Sequence, residues 1–218
     1  MQVNPTSAPD TRQSTGEKAI LDAAVELFSE NGYDGVSMRQ IAEAAGVSKS
    51  NIYHHFASKD ALYLGILHGS AQHLSEIVED LAEGDGDFQR RLRVFAEAHM
   101  KHLFANEMTL RLVLREAFSG DEEKSRVVVD QVVGGIFKRM VAIFQAGQNA
   151  GIIRADLDPG LCATLLMGAN LFFFQAQGML RLIPEAGFAK DSIGFNRQMV
   201  DVMLNGMLCE DYAREMGK

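Results

Sequence analysis

The strongest constraint on the fold of this chain is a pair of very short amphipathic helices predicted between residues 37 and 56. Ser37, followed three positions later by Gln40, forms a capping-box pattern that predicts the start of a helix. Gly46 ends that helix after about two and a half turns, and Ser48 is placed to start the next one. Two short helices joined by a glycine-centred turn are typical of a helix-turn-helix, and the same spacing also occurs in plain packing units.

Helical periodicity recurs along the rest of the chain, whereas patterns typical of strands are nearly absent. We therefore expect an all-α protein of about nine helices, with a three-helix head followed by a larger helical body. Beyond the two short helices, the pattern predicts helices at about residues 58–82, 88–105, 108–118, 122–150, 159–182 and 193–216. The expected organisation is a flexible polar tail at 1–15, a helix-turn-helix head at 16–57 and a helical body at 58–218.

The charge of the chain argues against a protein that covers nucleic acid with its whole surface. The sequence has 21 Lys and Arg against 29 Asp and Glu, a formal net charge of −8. Between Val36 and Lys59, however, only Glu43 opposes Arg39, Lys49 and Lys59. Any contact with nucleic acid is therefore expected to be local, within this basic window.

Patterns typical of enzymes and of cofactor or metal sites are missing from the sequence. It contains no Glu-x-x-His pair, no His-Glu-x-x-His and no phosphate-binding glycine loop. His99 and His102 could share a metal, but the pattern places no carboxylate or thiol with them. We expect no enzyme activity, no cofactor and no metal site.

The apolar stretch 161–183 is long enough to cross a bilayer. Polar residues such as Thr164, Asn170 and Arg181 interrupt it, which favours a buried helix of a soluble protein over a membrane span. The start of the chain lacks the pattern of a signal peptide. A cytoplasmic protein without a membrane partner is expected.

The head resembles the tetracycline-repressor (TetR) family of bacterial transcriptional regulators. The matching residues are Phe28, Gly32, Tyr33, Gly35, Ser37, Ile41, Ala42, Ala45, Gly46, Val47, Ser48, Tyr53, His55, Phe56, Lys59 and Leu62. The match has no gap and covers the head only. The body is similar to the family in the number and order of its helices, and it carries no motif that names a subfamily.

The resemblance implies that the third helix enters the major groove of DNA, where each base pair presents a distinct pattern of donors and acceptors. Asn51 could pair with adenine and Lys49 with guanine, whereas Lys59 could bind a phosphate. The DNA-binding residues implied are Ser37, Arg39, Ser48, Lys49, Ser50, Asn51, Tyr53, His54, His55 and Lys59. Alternative roles stay open: Ser37 and Ser48 are helix caps first, Tyr53 could cover the head core, His55 could be structural, and Lys59 could be a solvated charge.

The resemblance also implies that the body binds a ligand and forms a homodimer. The dimer interface would include Leu165, Phe172, Phe173, Met199, Met203 and Met207. A small, largely apolar effector would contact Phe95, His99, His102, Leu114, Phe118, Phe137, Met140 and Phe174. Ordinary core packing is the alternative for each of these effector-lining residues.

The expected function is that of a ligand-responsive, sequence-specific DNA-binding transcriptional regulator that acts as a repressor. A two-fold dimer would bind a palindromic operator in double-stranded DNA and be released by its effector. The alternative is a helical carrier or sensor that binds an apolar molecule and does not bind DNA.

Overall fold

The computed structural model describes residues 11–84 and 86–208, and α-helices account for most of them. The helices are α1 (Thr11–Asn31), α2 (Met38–Ala44), α3 (Lys49–His55), α4 (Lys59–Glu83), α5 (Phe88–Ala105), α6 (Glu107–Ala117), α7 (Glu122–Val128), α8 (Gly134–Asn149), α9 (Pro159–Leu180) and α10 (Ser192–Met207). A π-helical stretch, Val129–Val133, joins α7 and α8 into one rod, and a short 3-10 helix, Gly187–Lys190, precedes α10. This architecture confirms the all-α prediction.

Side-chain caps explain why the short helices of the head begin where they do. Ser37 Oγ accepts a hydrogen bond from the Gln40 amide at 3.3 Å, and Gln40 Oε1 accepts one from the Ser37 amide at 2.8 Å. Ser48 and Ser58 cap α3 and α4 in the same way, each accepting from an amide in the first turn of its helix. Gly46, with φ of +66°, makes the turn between α2 and α3, which other residues adopt only with strain. Each cap stabilises its helix by about 1 kcal/mol.

The core of the head includes residues from outside the helix-turn-helix. Phe28, Ile41 and Ile52 are completely buried, one from each of the first three helices. Leu62 of α4 and Leu112 of α6 belong to the same cluster. The head core therefore extends across the domain boundary that the sequence predicts at residue 57.

The core of the body surrounds α5, which packs against α4, α9 and α10. Its centre holds a buried polar network at the crossing of α5, α9 and α10. Asn170 and Asn196 each donate a hydrogen bond to the Ala96 carbonyl at 2.9 Å, and Asn196 also donates to Asn170 Oδ1 at 2.9 Å. The second N–H of Asn170 lies 3.3 Å from His99 Nδ1, which accepts it. These bonds satisfy polar groups whose burial would otherwise be costly.

By length and composition alone, α9 could span a membrane. In the structure, Asn170 in its middle is fully buried by the protein and bonded to α5 and α10. One third of the most apolar window of α9 is buried, so the residues that the structure describes leave a large part of its surface uncovered.

Three boundaries differ from the predicted ones. Residues 11–15 of the predicted tail belong to α1, whereas residues 1–10 lie outside the described residues. The predicted helix 122–150 contains the π-helical stretch, where Gly134 has no side chain to meet the Val129 carbonyl; a Cβ would lie 2.8 Å from that oxygen. The last helix ends at Met207 rather than near 216, because Leu208 adopts an extended backbone and pairs with Ile153. Residues 209–218 also lie outside the described residues.

Candidate nucleic-acid interface

The first turn of α3 presents polar side chains to solvent while the opposite side of the helix is anchored. Ile52 is completely buried in the head core, which fixes the rotation of α3 about its axis. Lys49, Ser50 and Asn51 are all exposed. The Ser50 hydroxyl lies 3.0 Å from that of Ser48. The helix therefore offers a rigid, solvent-facing group of hydrogen-bonding side chains.

The end of α3 carries three rings in a row. The Tyr53 side chain is 45% exposed, so it does not act as a cover for the head core. His54 is exposed and His55 is half-buried, and their rings meet edge to face with centroids 5.5 Å apart. Near His55 lies Gly16 of α1, where a Cβ would be 3.6 Å from the ring. This end of α3 is thus held against the start of α1, with Tyr53 free to meet a partner.

Arg39 on α2 has a partner within the chain. Its Nε donates to Glu43 at 2.8 Å, four residues further along the helix, and both side chains are exposed. An exposed pair of this kind is weak, because water competes for both charges. To bind a phosphate, Arg39 would have to share its guanidinium between the phosphate and Glu43, or break its ion pair with Glu43.

Lys59 has a structural role that the sequence pattern did not reveal. Its Nζ donates to the carbonyls of Tyr33 at 2.9 Å and Val36 at 3.0 Å, and it lies 4.1 Å from the centre of the Tyr33 ring. The Tyr33 hydroxyl in turn donates to Asp60. Lys59 therefore fastens the loop between α1 and α2 to the start of α4. An ammonium has three donors, so one N–H remains for a phosphate.

The structure does not bring all the predicted effector-lining residues together. Buried members of that set are Phe95, His99, His102, Leu114, Met140 and Phe174. Phe118, at the end of α6, is 78% exposed, and Phe137 on α8 is also exposed. Because they are exposed, these two side chains do not share the interior with the other six.

Burial controls the protonation of the two histidines in this group. It lowers the pKa of His99 to about 3, and a positive charge on His102 would lower it further. Burial likewise lowers the pKa of His102 to about 4, with a smaller contribution from His73. Both imidazoles are neutral at pH 7. Among the residues that the structure describes, no three potential metal ligands from His, Cys, Asp and Glu come together.

A cavity of about 650 Å³ lies between α4, α5 and α8. Its walls include the apolar side chains of Val78, Phe88 and Ile143, together with the guanidinium groups of Arg91 and Arg139. None of the predicted effector-lining residues borders it. Its position could only follow from the way the three helices cross.

A groove of about 630 Å³ runs between α9 and α10. Among the residues predicted for a dimer interface, Leu165, Met199, Met203 and Met207 line it. Phe172, next to the groove on α9 by sequence, is 61% exposed.

Phe173, in contrast, is completely buried within its own chain. Its ring stacks on that of Phe195 with centroids 4.3 Å apart. It therefore has no surface left for a second chain, and its place in the predicted interface is not supported.

The two short helices α2 and α3, joined by the turn at Gly46, define a helix-turn-helix. Residues 20–66 match the family model described as bacterial regulatory proteins, tetR family. A solved structure of a TetR-family transcriptional regulator from Mesorhizobium loti is 26% identical, with a TM-score of 0.62, and the match covers 92% of this chain and 100% of that one. The helix-turn-helix region at residues 20–66 thus belongs to the tetR family of bacterial regulatory proteins, and the fold of the chain is similar to that of TetR-family transcriptional regulators. These relatives are transcriptional regulators, which confirms the prediction that the chain is not an enzyme.

Two curated relatives show how the similarity is distributed. The HTH-type transcriptional regulator RutR of Escherichia coli is 52% identical over 54 residues, 25% of this chain and 26% of the relative. The HTH-type transcriptional repressor KstR2 of Rhodococcus jostii is 24% identical over 165 residues, 75% of this chain and 81% of the relative. The high identity is thus confined to a short region, and the match to RutR spans about a quarter of that protein.

Proposed function

We propose that this protein is a ligand-responsive repressor that binds a palindromic DNA operator as a homodimer and is released by a small, largely apolar effector. The observation that carries the proposal is the first turn of α3, where Lys49, Ser50 and Asn51 are exposed on a helix anchored by the buried Ile52. The proposed compartment is the cytoplasm.

An α-helix fits the major groove, which is about 12 Å wide. In that position the Asn51 amide can form two hydrogen bonds with adenine, and the Lys49 ammonium can donate to guanine. Arg39, Tyr53 and His55 flank this turn and are proposed to contact the sugar-phosphate backbone. The whole chain has a net charge of −8, so its acidic surface repels DNA, which favours approach by the basic window between Val36 and Lys59.

The groove between α9 and α10 supports the proposed dimer. Leu165 is half exposed beside it, and Val202 on α10 is 74% exposed. A contiguous apolar face of this kind marks a contact surface. A two-fold symmetry axis between two copies of the chain would bury the same face of both copies. Two heads then bind half-sites about 34 Å apart, or at a multiple of that distance.

The body cavity between α4, α5 and α8 is the proposed effector site. Its volume of about 650 Å³ suits a small molecule, and its walls, which are apolar apart from Glu79, Glu83, Arg91 and Arg139, suit a largely apolar one. α4 connects the cavity to the head, because Lys59 in its first turn holds the loop between α1 and α2. The effector must bind one arrangement of α4 more tightly than the other, since equal affinity would shift nothing. The similarity to KstR2, which is named as a transcriptional repressor, supports repression rather than activation.

Fluorescence anisotropy with duplexes from beside the protein's own gene tests the proposal. Titrations between about 50 and 200 mM salt should show affinity that falls steeply with salt, as phosphate contacts require. Asn51→Ala should reduce discrimination between operator and unrelated DNA by about 1–3 kcal/mol. Lys138→Ala, an exposed lysine on α8, is the matched control and should change neither quantity.

Absence of binding to any duplex, including a randomised library, would favour the alternative of a helical carrier or sensor. Equal weakening of all sequences by Asn51→Ala would contradict its base-reading role.

A further inference from the structure

The body holds the head at two places, and only one of them is continuous with the chain of the head. The first is the start of α4, where Lys59 fastens the loop between α1 and α2. The second is α6, an element of the body that packs against α1. A head attached at the start of α4 alone could swing about that point, whereas a second attachment away from it fixes the orientation of the head relative to the body.

Leu112 is the apolar part of this second attachment. It is 1% exposed and lies in the head core together with Phe28 of α1. The next residue of α6, Val113, is also buried, but it lies in a separate cluster with Leu67 of α4 and Val128 of α7. Two neighbouring residues of one short helix therefore reach into the head and into the body. The head cannot turn against the body without opening one of these close-packed contacts.

Arg115, three residues further along α6, is the polar part of the attachment. Its Nη2 donates to the Phe28 carbonyl at 3.1 Å in a part-buried contact. This carbonyl lies in the last turn of α1, where the helix dipole favours a cation. It also accepts from the Gly32 amide at 3.0 Å, which its two lone pairs allow. Arg115 therefore adds a charged donor from the body to the end of α1.

Glu116 holds the same guanidinium from another side. The Arg115 Nε lies 3.6 Å from the Glu116 carboxylate, and the Glu116 side chain is only 12% exposed. The guanidinium is thus placed between a carboxylate of its own helix and the end of α1. Because the group is planar and its donors point in fixed directions, it constrains the angle between α6 and α1 as well as their separation.

We propose that Arg115 is a positioning residue for DNA binding, which sets the angle between head and body and thereby the half-site spacing that the dimer accepts. The inference rests on the proposed function, because spacing has meaning only for two heads on one duplex. Arg115 itself contacts no base and no phosphate in this proposal. It acts through α1, against which the helix-turn-helix is packed.

Duplexes with altered spacing test the proposal, because one base pair inserted between the half-sites moves one of them by about 3.4 Å and turns it by about 35°. Fluorescence anisotropy compares an operator selected from a randomised library, the same operator with the insertion, and one isolated half-site. For the wild type the insertion should weaken binding about tenfold or more, and for Arg115→Met about threefold or less. Both proteins should bind the half-site within about twofold of each other, because the α3 surface is unchanged.

Arg126→Met is the matched control, because Arg126 is an exposed arginine on α7 that pairs with Glu122. It should keep the wild-type response to the insertion. A purely structural loss in Arg115→Met would weaken binding to all three duplexes equally, and circular dichroism checks that each variant is folded. The proposal is overturned if Arg115→Met loses as much affinity on insertion as the wild type, if it weakens all three duplexes equally, or if Arg126→Met relaxes the spacing to the same extent.

A second measurement tests the angle without DNA. Double electron–electron resonance gives the distance between spin labels on ketone-bearing amino acids that replace the exposed Ala44 of α2 and Lys138 of α8. Labelled chains are diluted with unlabelled ones, so that only distances within one chain are measured. The distribution should be narrow in the wild type and about twice as broad in Arg115→Met. An unchanged distribution would overturn the proposal; a broader one in a chain that binds no duplex would contradict the proposed function instead.

Discussion

The head and the body are stabilised in different ways. The head consists of short helices whose starts are set by serine caps and whose turn requires the left-handed backbone of Gly46. The body consists of long helices around a large apolar core, with a buried network of Asn170, Asn196 and His99 at its centre. Local chemistry therefore specifies the geometry of the proposed DNA-binding surface, whereas contacts between distant residues specify the body.

The largest expected effect comes from making the same substitution, asparagine to alanine, once in the body and once in the head. Asn170→Ala should lower the free energy of unfolding by about 3 kcal/mol, because it leaves buried groups of α5 and α10 without partners. Asn51→Ala, on the exposed side of α3, should change it by less than about 0.5 kcal/mol. Urea unfolding of both variants measures the two values. Equal losses of stability would contradict this comparison, because the exposed Asn51 would then stabilise the head as much as the buried Asn170 stabilises the body.

A second test concerns the uncovered face of the body. Leu165→Glu should weaken self-association by about a hundredfold, since it would bury an unpaired charge between two copies. Val94→Glu, an exposed apolar position on α5 away from the groove, is the control. Analytical ultracentrifugation over a concentration series gives the association constants. A wild-type chain that sediments as one subunit at all concentrations would contradict the proposed dimer.

The body should also be the acid-sensitive region. The pKa of His99 is lowered to about 3 by burial, against about 6.5 in an unfolded chain. Between these values the unfolded chain binds more protons, so stability falls as pH decreases below about 6.5, by about 1.4 kcal/mol per pH unit for this residue. Urea unfolding between pH 7 and about 5 measures the slope. His99→Leu should reduce it; an unchanged slope would assign the acid sensitivity to other groups.

The smallest expected effect lies at the junction of the two regions. Lys59→Met removes the ammonium and leaves the Tyr33 and Val36 carbonyls without their donor, which should lower the free energy of unfolding by about 2 kcal/mol. If the third N–H binds a phosphate, the salt slope of DNA binding also falls by about one. Lys138→Met controls for the loss of a charge. An unchanged slope would leave Lys59 with its structural role alone.

The sequence predicted the parts of the molecule that neighbouring residues determine. Ser37 and Ser48 cap helices through amides three residues away, and the burial of Ile52 follows from helical spacing. With Ile52 buried, Lys49 and Asn51 lie on other faces of α3 and are exposed, as the helical spacing predicts. Their contacts with DNA remain predictions.

The remaining features depend on residues far apart in the sequence. Lys59 bonds carbonyls more than twenty positions earlier, so its structural role could not be read from its own helix. Phe172 and Phe173 are adjacent and equally apolar, but only Phe173 meets Phe195 of α10 and is buried. The burial of the Tyr63 hydroxyl, which has no hydrogen-bond partner among the described residues, likewise becomes visible only once α4 and α6 are packed together.

The attachment of the head to the first residue of a long helix has a mechanical consequence. α4 contains 25 residues, which makes it about 37 Å long. A tilt of about 5° around its far end moves Lys59 by about 3 Å, close to the rise of one base pair along duplex DNA. In the proposed two-fold dimer both ends would move, so a small rotation deep in the body would be enough to shift both α3 helices relative to the major groove.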